Sequence, residues 1–258
     1  MGQDHRLVLA DVKKDAVQAQ AAGLRADGYD VAAALACDVS NPADVPALAA
    51  AASQAGPLGA LIHTAGLSPA FADWEPIVRV NLVGTARILE AFLEQAGHGS
   101  VAICIASLAA DLGERDPRVE ALLDAPLAPD VIAKLEPFVM AAAQASGMSP
   151  RYPAYAISKR GVIRMVEDQV RHWAGNGARI VSISPGLIAT PMGLQEAQTD
   201  GPAALVRMTP AGRWGTAVDI ANAVRFLCSG ASSFITGCDL RVDGGVAPLV
   251  TGRNAAAI

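Results

Sequence analysis

The chain has 258 residues, of which 52% are hydrophobic and 17% are charged, enough to bury the sizeable core of one large domain. A formal charge of −5, without a basic run, argues against nucleic-acid or anionic-membrane partners. No apolar run reaches the roughly 18 residues of a transmembrane helix, and the polar opening Met1–His5 is unlike a signal peptide. We therefore expect a cytoplasmic protein whose partners are a small molecule and other copies of itself.

Cysteine and histidine usage narrows the chemistry further. The four cysteines stand in apolar surroundings without a Cys-x-x-Cys pair, which indicates buried reduced thiols. The four histidines are far apart along the chain, so we expect no metal site. No linker rich in Pro, Gly or Ser divides the sequence, which predicts a single domain over residues 1–258.

Apolar runs alternate with alanine-rich helical stretches along the chain. The predicted strands are 6–10, 31–36, 58–64, 100–106, 179–184 and 240–242. The predicted helices are 13–28, 42–55, 75–96, 153–175 and 217–229. Short buried strands separated by helices are typical of an α/β fold in which helices cover both faces of a doubly wound parallel sheet, as in a Rossmann-like domain.

Asp11 ends the first predicted strand. An acid at the end of a strand in a dinucleotide-binding fold can accept hydrogen bonds from the adenine ribose and repel a 2′-phosphate, which predicts NAD over NADP. The residue would serve equally well as a helix N-cap. Lys13 and Lys14 follow closely and could weaken the discrimination between the two cofactors.

Polar and small residues also follow the later predicted strands. Open α/β sheets bind their ligands at the carboxyl ends of the strands, and small residues let a backbone approach a ligand. Ordinary turn or N-cap chemistry would account for the same residue types. The residues in question are Asp38-Val39, Thr64-Ala65-Gly66, Ser107, Pro185-Gly186 and Thr190-Pro191-Met192.

Two further features lie within predicted helices. Asn81 interrupts a helix-forming stretch, where an amide is a poor helix former and needs a partner. In Tyr155-Ala-Ile-Ser-Lys159, the spacing of four places the phenol and the ammonium on one helical face, one turn apart. A nearby ammonium favours the phenolate and lowers the pKa of a phenol, which predicts an acid/base that works near neutral pH. Alone, this spacing could be coincidence.

Together, these motifs resemble the short-chain dehydrogenase/reductase family in their order and spacing over nearly the whole chain, and residues 239–245 resemble that family's last strand. The resemblance implies a nicotinamide cofactor and hydride exchange between an alcohol and a carbonyl. It implies that Tyr155 is the proton donor or acceptor and that Ser107 holds the substrate oxygen. Lys159 would lower the pKa of Tyr155 and bind the nicotinamide ribose, and Asn81 would hold a water in the proton relay. The cofactor-binding residues it implies are Asp11, Asp38, Val39, Ala65, Gly66, Tyr155, Lys159, Pro185, Gly186, Ile188 and Thr190.

One departure from the family pattern is an insertion at about residues 111–148. Ser107 and Tyr155 are 48 residues apart, whereas the family usually has about a dozen residues between them. The segment predicts two helices, 116–123 and 130–145, the second interrupted by Pro137. It most resembles the subgroup of bacterial 3α-hydroxysteroid dehydrogenase/carbonyl reductase and coniferyl-alcohol dehydrogenase. Its apolar residues predict a wall for a substrate pocket or a subunit contact, the alternative being inert surface decoration.

The other departure is the absence of the glycine-rich turn of the dinucleotide fold. The chain starts where the family's second strand starts, so we expect a late start site or a truncated form. The family's first strand, which has no counterpart here, would lie in the centre of the sheet next to the strand that ends at Thr64. The glycine-rich turn after it would bind the pyrophosphate.

We therefore predict an NAD-dependent short-chain alcohol dehydrogenase/carbonyl reductase for a bulky apolar alcohol or ketone of the steroid or aryl class. We expect a homo-oligomer, with a dimer favoured and residues 240–250 forming one interface. The alternative is a non-catalytic remnant or scaffold that cannot hold the dinucleotide. The sequence leaves the substrate's identity and the direction of the reaction open.

Overall fold

A computed structural model describes residues 5–113, 115–191, 193 and 206–251. Its strands are β1 Arg6–Asp11, β2 Asp30–Ala36, β3 Ala60–His63, β4 Val101–Ile105, β5 Arg179–Pro185 and β6 Asp239–Val242. All the strand pairs they form are parallel. The alternation of apolar runs with helices therefore predicted correctly the succession of strands along the chain and their parallel orientation.

The strands form two sheets. β1 pairs with β2, while the other four lie in the order β3-β4-β5-β6. Among the described residues, no hydrogen-bonded pairing joins β1 to β3. This is the position at which the family resemblance predicts the missing first strand. Helix α2, Asp44–Ala55, packs on β1 and β2 and also on helix α4, Thr85–Leu93, which contacts β3. Helix packing therefore links the two sheets.

The remaining helices follow the predicted order. They are α1 Lys14–Ala26, α3 Trp74–Val78, α5 Pro117–Leu123, α6 Val131–Ser146, α7 Arg151–Gly175, α8 Ala217–Leu227 and α9 Ala247–Val250. The helix predicted over 75–96 is divided, because a π-helical turn, Arg79–Gly84, joins α3 to α4. Within the described ranges, no helix combines the length and the apolarity needed to cross a membrane.

Strand β4 shows that helices cover both faces of the larger sheet. Ala102 and Cys104 face the main core, which α2, α4, α6 and α7 share. Val101 and Ile103 point the other way, into a smaller cluster with Leu227 of α8. Alternate residues of one strand therefore bury against opposite helical layers, as the doubly wound prediction requires.

The insertion forms α5 and α6, as predicted, with Asp116 capping α5 by accepting the backbone N–H of Arg118 at 2.8 Å. The prediction that Pro137 interrupts the second helix is wrong, because α6 runs through it. A proline removes the hydrogen bond to the residue four positions earlier. Pro137 and Ala133 both lie on the exposed side of α6, so water can satisfy the released carbonyl.

Candidate active site

The site is centred on helix α7 where it passes the carboxyl end of β4. Lys159 is buried, and its Nζ donates to the carbonyl oxygen of Ile105 at 2.8 Å. The Tyr155 ring lies one turn earlier, with its centroid 5.8 Å from Lys159 Nζ. The predicted pairing of phenol and ammonium on one helical face is therefore present, and a strand end holds the ammonium in place.

Asn81 is fully buried in the π-helical turn and makes the hydrogen bonds that its position in a helix demands. Its Oδ1 accepts the N–H of Leu67 at 2.7 Å, while its Nδ2 donates to the Leu67 carbonyl at 2.9 Å and to Ser158 Oγ at 3.2 Å. The amide thus ties the loop after β3 to α7. The predicted role of Asn81 in holding a water stays a prediction, and the side chain's own hydrogen bonds are structural.

Gly66 brings the end of β3 against these residues. A Cβ added at Gly66 would lie 3.2 Å from Asn81 Oδ1 and 3.3 Å from Lys159 Nζ, which is tighter than ordinary contact. Ala65 beside it is exposed. The missing side chain at Gly66 therefore permits a close approach of the backbone to Asn81 and Lys159, and the predicted approach to a ligand stays a prediction.

Ser107 follows β4 by two residues and is half-buried. It caps a short 3-10 turn, Leu108–Asp111, by accepting the N–H of Ala109 at 3.2 Å, and this turn packs against α7. The N-cap role of Ser107 is therefore present, and its role in the site stays a prediction. Ser107 and Tyr155 lie at the same edge of the sheet, and the prediction that their hydroxyls hold one oxygen atom remains to be tested.

The residues predicted to bind the adenosine half of the cofactor lie at the ends of β1 and β2. Asp11 is exposed, and its Oδ1 accepts the N–H of Lys13 at 2.8 Å. Asp38 accepts the backbone N–H of Ser40 at 2.9 Å and its hydroxyl at 2.7 Å, which is turn chemistry. Val39 packs against Gly84, where an added Cβ would approach Val39 Cγ2 to 2.6 Å.

The backbone just after β5 lies close against the backbone at the end of β6. Gly186 donates its N–H to the Val242 carbonyl at 3.0 Å, and an added Cβ would lie 2.7 Å from Asp243 Cα, so no larger residue fits without moving the backbone. Ile188 forms a parallel bridge with Gly215, next to Thr190. Met192 lies outside the described residues.

These positions fit a dinucleotide in part. Asp11 ends a strand of the smaller sheet, and Gly66, Ser107 and Gly186 follow three parallel strands of the larger one, at the carboxyl ends where open α/β sheets bind ligands. The described strand-to-helix connections include no glycine-rich turn of the kind that holds a pyrophosphate. The residues present therefore suit the ribose and nicotinamide portions better than the phosphates.

The interior of the site is electrostatically unusual. Burial lowers the pKa of Lys159 to about 8. Burial, followed by the nearby Lys159 charge, lowers the pKa of His63 to about 4. Burial raises the pKa of the Cys104 thiol to about 12, so that this thiol stays protonated beside the ammonium. Lys159 is thus held in a poorly solvated place, where its charge acts strongly on neighbouring groups.

Three polar residues that sequence reasoning missed complete this interior: His63, Thr85 and Ser158 are all buried. Ser158 donates to the Tyr155 carbonyl at 2.8 Å, and His63 Nε2 lies 2.9 Å from Thr85 Oγ1. The available signal was a polar residue in an otherwise apolar stretch, but that signal alone does not identify a partner.

The Lys159 pKa predicts how stability changes with pH. The folded-state value near 8 lies below the ordinary 10.5, so the folded protein loses this proton first and stability rises between pH 8 and 10.5. Relative to Lys159→Met, the wild type should gain about 2 kcal/mol of unfolding free energy from pH 7 to pH 10. Urea unfolding at both pH values measures this. An equal response in both proteins would show that Lys159 is not desolvated.

Comparisons with known proteins give matches over most of the chain. The family model described as enoyl-(acyl carrier protein) reductase matches residues 1–122 and 137–247, and its gap falls within the insertion. The short-chain dehydrogenase/reductase bsc3 of Alternaria brassicicola is 32% identical over 249 residues, covering 95% of this chain and 88% of that protein. The 3-alpha-hydroxysteroid dehydrogenase/carbonyl reductase of Comamonas testosteroni is 30% identical over 191 residues, covering 72% of this chain and 71% of that protein.

A solved structure shows the same fold. The 3-alpha-hydroxysteroid dehydrogenase of Pseudomonas sp. B-0831, complexed with NADH, superposes with a TM-score of 0.73 at 27% identity, covering 96% of this chain and 99% of that chain. Its fold and the sequence matches lead to one assignment. The chain belongs to the short-chain dehydrogenase/reductase family of oxidoreductases.

Proposed function

We propose that the protein transfers a hydride between NAD(H) and a secondary alcohol or ketone. The observation that carries this proposal is the buried Lys159 ammonium, one turn from Tyr155 and anchored to the end of β4. A positive charge fixed near a phenol in a poorly solvated place favours the phenolate. Tyr155 then has the character of an acid/base that can exchange a proton with a substrate oxygen.

The proposed mechanism assigns one task to each side chain. Tyr155 Oη takes the hydroxyl proton of an alcohol, or returns a proton to the oxygen of a ketone. Ser107 Oγ donates a hydrogen bond that fixes this oxygen, while Lys159 stabilises the phenolate. Asn81 ties the loop after Gly66 to α7 through its hydrogen bonds to the Leu67 backbone and to Ser158. Bound NAD(H) supplies or accepts the hydride.

The cofactor assignment rests on Asp11 and on the edge formed by the strand ends. An exposed carboxylate at the end of β1 suits a ribose diol and opposes a 2′-phosphate. The NADH in the solved structure of the related steroid dehydrogenase supports the same choice. In this assignment Gly66 and Gly186 allow close backbone approach, Lys159 binds the nicotinamide ribose, and Asp38, Val39, Ala65, Pro185, Ile188 and Thr190 line the remaining edge.

Asp11→Ser should shift cofactor preference from NAD towards NADP. The substitution removes a ribose acceptor and a repulsive charge, so the ratio of kcat/KM for NAD to that for NADP should fall about tenfold or more. Asp15→Ser, an equal loss of charge in the first turn of α1, is the control and should leave the ratio unchanged. An unchanged ratio in Asp11→Ser would place cofactor selection elsewhere, for instance at Lys13 or Lys14.

A bulky apolar substrate fits the surroundings of α7. Met148 and Tyr152, near the start of this helix, expose large apolar surfaces, and so does Phe71 in the loop after β3. Arg151 ties the helix to that loop by donating from Nη1 to the Pro69 carbonyl at 3.1 Å. Exposed apolar side chains at the start of the helix that carries Tyr155 suit a steroid or aryl alcohol. The similarity to steroid dehydrogenases supports the same class.

We further propose a homodimer. Helices α5 and α6 pack on α7 and so cover part of its surface. In the described part of the chain β6 is an edge strand of the larger sheet, and nearby Phe226 and Phe234 are exposed, the latter completely. An unpaired edge with exposed aromatic residues is typical of a subunit contact. Light scattering measures the assembly, and a monomer at micromolar concentration would contradict this proposal.

The rival function is that of a non-catalytic scaffold. It is favoured by the missing pairing between β1 and β3 and by the lack of a glycine-rich turn within the described residues. Such a protein would keep the arrangement around Lys159 but would not hold the dinucleotide. Cofactor binding and hydride transfer distinguish the two functions.

A further inference from the structure

Behind Asn81 lies a buried pair of polar side chains, His63 and Thr85, which we call the His63–Thr85 pair. His63 is the last residue of β3 and is 7% exposed, while Thr85 is the first residue of α4 and is 2% exposed. His63 Nε2 lies 2.9 Å from Thr85 Oγ1, and this hydroxyl donates to the Asn81 carbonyl at 2.6 Å. The pair therefore connects the end of β3 to the backbone of Asn81.

The proton positions in this chain of hydrogen bonds follow from its partners. A carbonyl oxygen can only accept, so the single hydroxyl proton of Thr85 is directed to Asn81. The hydroxyl oxygen must then accept from the imidazole, which places a proton on His63 Nε2. Burial keeps the pKa of His63 near 4, so the ring is neutral at physiological pH and carries its proton on Nε2 alone.

The contact between Thr85 and Asn81 lies at the end of the π-helical turn. There the backbone N–H of Thr85 is directed to the Leu82 carbonyl, while the Thr85 hydroxyl donates to the Asn81 carbonyl. In a regular α-helix the backbone N–H of residue 85 would be directed to the carbonyl of residue 81. The hydroxyl thus joins the two residues at a local irregularity of the helix, a feature often found at functional sites.

We propose that His63 and Thr85 are positioning residues for the reaction, acting through Asn81 on the loop that carries Gly66 into the site. This inference rests on the proposed function. With the Asn81 backbone held from one side, its side chain can bind the Leu67 backbone on the other. Gly66 is then kept against Lys159, where a Cβ would be 3.3 Å from Nζ. Loss of the Thr85 hydroxyl should loosen this alignment while leaving the core packed.

The test compares Thr85→Val, which keeps the shape and removes the hydroxyl, with Thr85→Ser, which keeps the hydroxyl. The first measurement is amide hydrogen exchange at Leu67, whose N–H is bonded to Asn81. Thr85→Val should accelerate this exchange about tenfold, and Thr85→Ser should restore protection. Exchange at Ile103 in the buried strand β4 is the control and should change little. Nitrogen-15 NMR of His63 should also show a single Nε2–H tautomer in the wild type and a mixture in Thr85→Val.

The second measurement is steady-state turnover. If the pair positions reactive groups, Thr85→Val should lower kcat about tenfold with little change in KM, and Thr85→Ser should recover it. Unchanged exchange and an unchanged His63 tautomer in Thr85→Val would overturn the hydrogen-bonded chain. Altered exchange with unchanged kcat would overturn the positioning role. If the wild type itself has no turnover, the proposed function fails, and the positioning role fails with it even where exchange and NMR confirm the hydrogen-bonded chain.

Discussion

Tyr155→Phe should lower kcat by about three powers of ten, because it removes the group that exchanges a proton with the substrate oxygen. The ring remains one turn from Lys159, so the packing around the ammonium should be kept. Cofactor affinity should change little, since the loss falls on the chemical step. Steady-state kinetics, together with NADH titration by tryptophan fluorescence, measure both effects.

Tyr29→Phe is the matched control for this experiment. It removes the same hydroxyl from the residue that precedes β2, at the amino end of that strand and therefore away from the site at the carboxyl ends. We expect its kcat to stay within about twofold of the wild type, as substitutions away from a site usually have small effects. Equal losses in the two variants, or undiminished turnover in Tyr155→Phe, would assign the proton transfer to another group.

Leu135→Ala should destabilise the protein by about 3 kcal/mol, although it lies in the insertion. Leu135 is 0% exposed in α6 and belongs to the main core, which α7 shares. Truncating a fully buried leucine loses its transfer free energy and leaves a cavity. Urea unfolding of this variant should be compared with Lys134→Ala, an exposed neighbour that should cost less than about 0.5 kcal/mol. A similar small cost for Leu135→Ala would mean that α6 is not part of the core.

Charged contacts strengthen the attachment of the insertion. Glu120 of α5 accepts hydrogen bonds from Arg160 at 3.2 Å and from Arg164 at 2.5 Å, both on α7. These side chains are mostly buried, so the contacts are screened less than surface pairs. Removing residues 112–146 to test substrate preference would therefore also expose the outer face of α7. Point substitutions such as Leu135→Ala leave this face of α7 covered. An effect on stability can then be measured separately from an effect on substrate preference.

The order of the fold could be predicted because its signals are local. The strand from Arg179 and the helix carrying Tyr155 and Lys159 were both located to within two residues. Apolar runs and helical spacing depend only on neighbours in sequence. Ser107 and Lys159 also lie beyond a predicted strand and on the predicted helix, and both are found at the carboxyl end of β4.

What could not be predicted depends on partners that are distant in sequence. Asn81 was recognisable as a poor helix former, but its bonds to Leu67 and Ser158 and the π-helical turn arise only in the folded chain. The same is true of His63, whose partner Thr85 is 22 residues away. The prediction that Pro137 interrupts the helix was wrong, because a proline's effect on a helix depends on whether the carbonyl it releases faces water.

The most direct test of the proposed function follows deuterium from substrate to cofactor. The substrates are secondary alcohols deuterated at the carbinol carbon, among them 2-propanol, 1-phenylethanol and a 3α-hydroxysteroid, each incubated with the protein and NAD. Mass spectrometry of the cofactor should show deuterated NADH from the wild type, fastest with the bulky apolar alcohols, and almost none from Tyr155→Phe. A wild-type protein that transfers no deuterium from any of these alcohols would contradict the proposal and favour the non-catalytic scaffold.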